Sequence, residues 1–283
     1  MDLLERSAVS EGQAVDEPIF ADERQANIAK LVVARGRVRN TELTELFAVT
    51  ETTIRKDLTV LQEQGVLKRT HGGAIAVKPP VERTLQERRV SEQEAKMMIA
   101  RLCIAELSEG DAVFIDSGST TQLIADVLAR ESVGPNLLHL TVLTNSIGVA
   151  DVLADVPAFE QVLVGGRVRH VGGSVVGTLA LENLERFTVN IAFIGASGLS
   201  ETGLTVADLE EARLKAAVIE RSLLVIVAVD HTKLGVTHFA KVCDWNDLDV
   251  VITDEAKAET RELCSAHGVR LIDAACQPDE PTQ

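Results

Sequence analysis

From Ala112 onward the sequence repeats one unit: a short run of apolar residues, a turn rich in glycine or hydroxyls, and a stretch with helical periodicity. The apolar runs are AVFI (112–115), LTVLT (140–144), QVLVG (161–165), IAFIG (191–195), LLVIVAV (223–229) and DVVIT (249–253). Ser119 to Arg130, Ile147 to Ala154, Ala207 to Arg221 and Glu255 to His267 have the helical pattern. Runs that stay apolar at consecutive positions are strands covered on both faces. Strands separated by helices are joined by crossovers, so they lie parallel. The expected fold is therefore α/β, a mainly parallel sheet with helices on both sides. Ligands of such sheets bind beyond the carboxyl ends of the strands.

The residues before this repeat follow another pattern. Ile28, Leu31 and Val32 form one helical stripe, ended by Gly36; Leu43, Leu46 and Phe47 form a second, opened by Asn40 or Thr41. Ala48-Val49 makes a tight turn and Thr50 is an N-cap for a third helix, with Ile54, Leu58 and Leu61 facing inward and Gly65 ending it. VLKRTHGGAIAV reads as two short strands around Gly72-Gly73. Three short helices and a strand pair make a winged helix-turn-helix. With 54, 58 and 61 inside, Thr52, Thr53, Arg55, Lys56 and Thr59 lie on or beside the exposed face, where hydroxyls and cations meet phosphates and base edges of a major groove. Lys68, Arg69 and His71 on the hairpin are placed for the adjacent backbone or minor groove. Glu51 and Asp57 dilute this basic face.

Charge divides the chain in the same way. Residues 22–78 hold 10 Lys and Arg against 7 Asp and Glu; the remainder holds 18 against 36, within a net charge of -15. An anionic partner is thus expected for the first module only. The expected organisation is a disordered lead-in (1–21), the winged helix-turn-helix (22–78), an extended linker (79–94) running into a helix through Met97-Met98-Ile99, the α/β domain (95–273) and a tail (274–283). The apolar runs fall well short of the roughly 18 residues of a membrane span, and the first twenty residues lack a signal-peptide pattern. A cytoplasmic protein with no membrane partner is expected. Cys103, Cys243, Cys264 and Cys276 are scattered, without C-x-x-C or a His pair, so no metal is expected; nor is a cofactor.

Two stretches resemble a known family. Residues 23–77, with TIRKDL, G-x-L-x-R and RTHGGA, resemble the N-terminal domain of DeoR-family bacterial transcriptional regulators. Thr50 stands where the family usually has Ser, and still caps. Lys56 replaces an Arg, which keeps the charge and loses the bidentate fork, so phosphate contact is expected of it. Residues 95 to about 254, with DSGSTT, LTVLTNS, VLVGG, FIGASGL, GLT and VDHTK, resemble the family's sensor domain, whose fold is similar to ribose-5-phosphate isomerase and CoA-transferase subunits. That resemblance implies a phosphorylated-sugar effector and no cofactor. By matching motif it implies a pocket of Asp116, Ser117, Gly118, Ser119, Thr120, Thr121, Asn145, Gly165, Gly166, Ser197, Gly198, Asp230 and Lys233, with Lys215 a lesser candidate.

Glu210, Glu211 and Lys215 also fit a simpler role as neighbours on a wet helix. The competing function is an enzyme, a sugar-phosphate isomerase or acyl/CoA transferase with a fused helical module. Isomerisation needs a general base near the sugar carbon. Ala196-Ser197-Gly198 offers no carboxylate, which leaves Asp116 and Asp230, and no nucleophile elbow, Walker loop or H-E-x-x-H is present. The expectation is a non-enzymatic, DNA-binding repressor of sugar or carbohydrate catabolism. Its partners would be a double-stranded operator, a phosphorylated sugar and further copies of itself, as dimer or tetramer.

Overall fold

The computed structural model describes residues 21–64, 66–76, 84–131 and 139–276. The chain divides into two compact units that part between Lys78 and Pro79.

The first unit holds helices α1 (Ala21–Arg35), α2 (Asn40–Phe47) and α3 (Glu51–Glu63) and strands β1 (Arg37–Arg39), β2 (Leu67–Thr70) and β3 (Gly73–Ala76). Gly36, at φ 73°, ends α1. Ala48, at φ 49°, turns the chain between α2 and α3, and the Thr50 side chain accepts from the Thr53 amide as N-cap. Ile28, Val32, Leu43, Ile54, Leu58, Leu61 and Leu67 form the core. Three expectations change. Leu46 is exposed, because two-turn α2 reaches the core with Leu43 alone among its fully buried apolar side chains. The wing has three strands in the order β1-β3-β2; β1 is only three residues long, two of them arginines, and has no readable alternation. Asp57 does not dilute the exposed face: it is buried against α1, where Arg24 Nε (2.7 Å) and Gln25 Nε2 (2.8 Å) donate to it. The expected cap Gly65 and the lead-in to residue 20 lie outside the described residues.

In the second unit α4 (Leu85–Val90) and α5 (Gln93–Ile104) precede β4 (Ala112–Ile115), α6 (Ser119–Glu131), β5 (Leu140–Thr144), α7 (Ile147–Leu153) and β6 (Phe159–Leu163). Then come β7 (Arg167–Arg169), β8 (Ser174–Val176), α8 (Thr178–Leu184), β9 (Val189–Gly195), β10 (Gly198–Ser200), β11 (Gly203–Val206), α9 (Leu209–Ile219) and β12 (Ser222–Ala228). A 3-10 turn (His231–Lys233), β13 (Ala240–Cys243), β14 (Val250–Thr253), α10 (Ala258–His267) and β15 (Arg270–Asp273) complete it. Seven strands form one parallel sheet in the order β15-β14-β12-β9-β4-β5-β6. Successive strand residues point to opposite faces: Phe114, Ala192, Ile194, Val225 and Val227 enter one core, and Val113, Ile115, Ile191, Phe193 and Ile226 the other.

The departures are local. The third strand begins and ends two residues earlier than its apolar run suggests, because Val164 is buried beyond the ladder and Gly165-Gly166 turn away toward β7. The small antiparallel pieces, β7 with β8 and β10 with β11 and β13, are three or four residues each, too short to show a period. The expected extended linker contains a helix: Thr84 and Glu87 form a capping box that starts α4, and Glu92, at φ 50°, separates it from α5. Of the expected tail, residues 274–276 form a 3-10 turn. Cys103, Cys243 and Cys264 are buried, and burial pushes the Cys264 thiol up to about 11 and that of Cys243 to about 12, so they serve packing.

Candidate functional site

The candidate DNA-reading residues are accessible in the first unit. Thr52, Arg55, Lys56, Lys68, Arg69 and His71 are exposed, and Thr53 and Thr59 are half-buried. They are not independent. Glu51 Oε1 accepts from Arg55 Nε (3.1 Å) and Nη2 (2.7 Å), and from Asn40 Nδ2 at 3.4 Å. The Arg55 hydrogen bonds, then that of Asn40, hold the Glu51 carboxyl below its usual range. This leaves the far edge of the Arg55 guanidinium, with Nη1, outside the pair. Arg69 ties the wing to α3: its amide donates to Gln62 Oε1 (2.8 Å) and its Nη1 to Thr59 Oγ1 (2.8 Å), while Thr59 donates to the Arg55 carbonyl. Thr59 is thus committed to scaffolding.

In the second unit the candidate ligand residues gather at the carboxyl ends of adjacent strands. Asp116, which follows β4, is fully buried. Its Oδ2 accepts from the Gly195 amide (3.0 Å) at the end of β9 and from the Lys215 ammonium of α9; its Oδ1 is buried with no partner among the described residues. Burial pushes the Asp116 carboxyl above its ordinary range, against the pull of Lys215. Lys215 is 3% exposed, so it is not a wet-helix residue. Nor is Glu211, one turn earlier on the same face, which accepts from Ser174 Oγ (2.8 Å) and Arg169 Nη1 (3.0 Å). Arg169 also pairs with Asp208 (3.2 Å), the N-cap of α9.

The neighbouring loops are cross-tied. Asn145 Oδ1 accepts from the Ser117 amide (3.1 Å), and its Nδ2 donates to Ser117 Oγ and the Val175 carbonyl, both at 3.4 Å. Thr121 Oγ1 donates to the Gly118 carbonyl (3.2 Å) and, with Ser119 and Thr120, is buried at the start of α6. Beyond β12, Asp230 Oδ1 accepts from the Thr232 amide (3.1 Å) and hydroxyl, which forms the turn that carries Lys233. His231 pairs with Asp254 at 2.6 Å; burial works against its charge, but Asp254, with the charges of Glu92 and Asp230, outweighs it and raises the imidazole pKa.

Not all the candidate glycines are explained by a ligand. A Cβ at Gly198 would stand 2.2 Å from the Val236 carbonyl oxygen, and one at Gly166 would stand 2.9 Å from both Val175 and the Val176 oxygen. Packing alone demands glycine at both. At Gly165 the nearest atom would be 3.8 Å away, and Ser197 is half-buried with its amide on the Thr205 carbonyl. Glu211, Arg169 and Ser174 were not among the expected pocket residues. Their only prior signal was position: Arg169 beyond a strand end, and Glu211 four residues before Lys215.

Among the described residues no group of three or more His, Cys, Asp or Glu is arranged to hold a metal ion, and no helix is long and apolar enough to cross a membrane.

A winged helix-turn-helix followed by an α/β unit with a polar strand-end site defines a DNA-binding regulator with a sensor domain. The pattern described as DeoR-like helix-turn-helix domain matches residues 24–79, and that of the DeoR C terminal sensor domain matches residues 91–255. The HTH-type transcriptional repressor GlcR of Bacillus subtilis is 33% identical over 258 residues, which cover 90% of this chain and 96% of that repressor. The Glycerol-3-phosphate regulon repressor of Escherichia coli is 34% identical over 251 residues, covering 88% and 97%. Ribose 5-phosphate isomerase A of Methanocaldococcus jannaschii aligns in structure with a TM-score of 0.37 at 19% identity, over 51% of this chain and 55% of that one. The chain belongs to the DeoR family of transcriptional regulators.

Proposed function

We propose that this regulator represses genes of sugar or carbohydrate catabolism and that a phosphorylated sugar, bound at the strand ends of the sensor domain, releases it from its operator. The observation that carries the reading is the buried Oδ1 of Asp116, which has no partner among the described residues. A buried carboxylate oxygen without a donor costs stability, and a ligand hydroxyl satisfies it. The amides and hydroxyls of Gly118–Thr121 open helix α6 and suit a phosphate, with Lys233 as a counter-charge. Both relatives are named as repressors, and one is named for a regulon of a phosphorylated metabolite, glycerol-3-phosphate, which supports the reading.

In this reading Arg55 reads a base edge, Thr52, Thr53, Lys56, Lys68, Arg69 and His71 engage the duplex around it, and Thr59 supports them. The module's small positive charge supports only weak non-specific binding. Operator affinity is then reached by pairing modules in a dimer or tetramer. The effector shifts DNA affinity by the difference in its binding free energy to the two forms.

Turnover is not part of the proposal. Asp116 Oδ2 is committed to Lys215 and Gly195, and Asp230 Oδ1 to the Thr232 turn. The test is a thermal-shift screen of sugar phosphates against the full chain, followed by operator release in a gel-shift assay. A ligand that raises the melting temperature and releases DNA is expected. A panel without any stabilising phosphate, or isomerisation of one, overturns the reading.

A further inference from the structure

Helix α3 opens with an acid. Glu51 is its first residue and lies one turn before Arg55, with both side chains exposed. A carboxylate beside DNA repels the phosphates, and residues 22–78 hold only 10 Lys and Arg against 7 Asp and Glu. A carboxylate at a helix start and an exposed pair of this spacing each add little stability. Helix stability alone is therefore a weak reason to place an acid on this face.

The geometry supplies another. A guanidinium presents two forked edges, Nε with Nη2 along its side and Nη1 with Nη2 at its end. Glu51 Oε1 takes the side edge, accepting from Nε at 3.1 Å and from Nη2 at 2.7 Å. That edge is closed to a phosphate, and the end fork is left open. Such a fork matches O6 and N7 of a guanine in the major groove. Glu51 is itself held from outside its helix. Asn40, at the start of α2 and 7% exposed, donates from Nδ2 to the same Oε1 at 3.4 Å, and its amide donates to the Gly72 carbonyl of the wing turn at 2.8 Å. Turned over, the Asn40 side chain would set its oxygen against the carboxylate, so Nδ2 faces Glu51. Its Oδ1 is buried with no partner among the described residues, a cost that stability alone does not explain. The wing turn is fixed in turn, since a Cβ at Gly73 would meet the Val38 carbonyl oxygen at 1.9 Å. One set of bonds thus joins the wing turn, the start of α2 and the start of α3, and it ends on Arg55.

We propose that Glu51, held by Asn40, is a positioning residue for sequence reading: it reserves the end fork of Arg55 for a guanine edge and so exchanges general attraction to DNA for discrimination between bases. The proposal rests on the base-reading role given to Arg55 above and deepens it, by naming the base and the groups that aim the side chain at it.

The test uses the full chain and a library of random duplexes of roughly 30 base pairs, long enough for paired half-sites a helical turn apart. Selection and sequencing with wild type give an enriched duplex. Anisotropy titrations then compare the enriched duplex with random duplex for wild type, Glu51→Ala, Glu51→Gln, Asn40→Ala, Arg55→Ala and the Glu51→Ala, Arg55→Ala pair. The control is Glu63→Gln, which removes an exposed carboxylate from the far end of α3. Glu51→Ala should lower the ratio of enriched to random affinity by at least about fivefold, part of what one bidentate base contact supplies. Its affinity for random duplex should be unchanged or higher, and repeated selection should lose the preference for guanine at one position of each half-site. Glu51→Gln keeps an acceptor oxygen and should fall between, Asn40→Ala should move the ratio the same way by less, and Glu63→Gln should match wild type. Once Arg55 is Ala, Glu51→Ala should change the ratio no further. An unchanged ratio for Glu51→Ala, or an equal loss on both duplexes, overturns the positioning role, while a lowered ratio for Arg55→Ala leaves base reading standing without it. An unchanged ratio for Asn40→Ala removes Asn40 from the proposal. If Arg55→Ala weakens both duplexes equally, or wild type enriches no sequence, the base-reading role itself falls. If Glu51→Ala does not fold, Glu51→Gln decides by the same ratio.

Discussion

Replacing Lys215 by Met removes one member of an ion pair that has almost no contact with water. Asp116 is then left fully buried, with the Gly195 amide donating to Oδ2 at 3.0 Å and Oδ1 without a partner among the described residues. Removing one partner of such a pair costs about 3–5 kcal/mol, whereas replacing both by neutral groups of similar shape is close to neutral. For a domain of this size each kcal/mol moves the melting temperature by about 2–4 °C, so Lys215→Met should lower it by roughly 6–20 °C. Asp116→Asn should cost a similar amount by stranding the ammonium, and the double variant should recover most of the loss. The chain's single tryptophan, Trp245, is buried in the sensor domain and donates to the Ser200 carbonyl, so its fluorescence reports unfolding of that domain. The pH dependence has a definite sign. A buried Asp116 without its cation has a folded pKa above the unfolded one, so it binds more protons folded than unfolded, and stability falls as pH rises beyond the unfolded value. The Lys215→Met penalty should therefore be largest at neutral pH and shrink in acid. Single variants within about 1 kcal/mol of wild type, or a double variant as damaged as the sum, would refute a coupled pair.

Other expected outcomes concern separate parts. Arg55→Ala should weaken operator binding by about 1–3 kcal/mol if Arg55 contacts a base; an equal loss on random DNA in a fluorescence-anisotropy titration would make it a phosphate contact instead. Gly198→Ala should destabilise the sensor domain by about 1–3 kcal/mol, since its Cβ would meet the Val236 oxygen at 2.2 Å. Gly165→Ala has room and should leave stability unchanged, so a loss of effector response there would mark ligand contact. His231 has a folded pKa above its ordinary 6.5. Its pairing with Asp254 is therefore fully present below 6.5 and lost as pH rises through the higher folded value. The difference in melting temperature between wild type and Asp254→Asn should narrow across that window, and a difference independent of pH would remove the charge on His231 from the account.

The sheet was legible because its strands have to be apolar at consecutive positions, and that requirement writes the same signal six times. All six runs match observed strands to within two residues at either end, and the run at 161–165, the one displaced at both ends by two, slid because Val164 is buried for a reason other than strand pairing. The first unit was legible through its caps: Gly36, Ala48 and Thr50 mark turns by local chemistry. The candidate ligand edge was legible as a set of loops but not as a set of partners. Asp116 and Lys215 are 99 residues apart in sequence, and Arg169 and Glu211 are 42 apart; nothing in the spacing of a helix distinguishes a lysine that bends inward to a strand end from one that stands in water. Asp57 shows the same ambiguity in reverse. Its position on α3 suggested surface charge, yet Arg24, 33 residues earlier, draws it inside. The joining helix hides for a different reason. Its six residues, LQERRV, bury no side chain fully, so no apolar period announces it. What holds it is a capping box at one end and the Lys96 ammonium at the other, contacts made mainly to backbone carbonyls and amides. Backbone contacts leave little trace in side-chain identity, yet together they are strong enough to fix α4, each netting about 0.5–1.5 kcal/mol and about 1.5–3 where a charge takes part. Terms of that size are the ones a sequence read alone shows least.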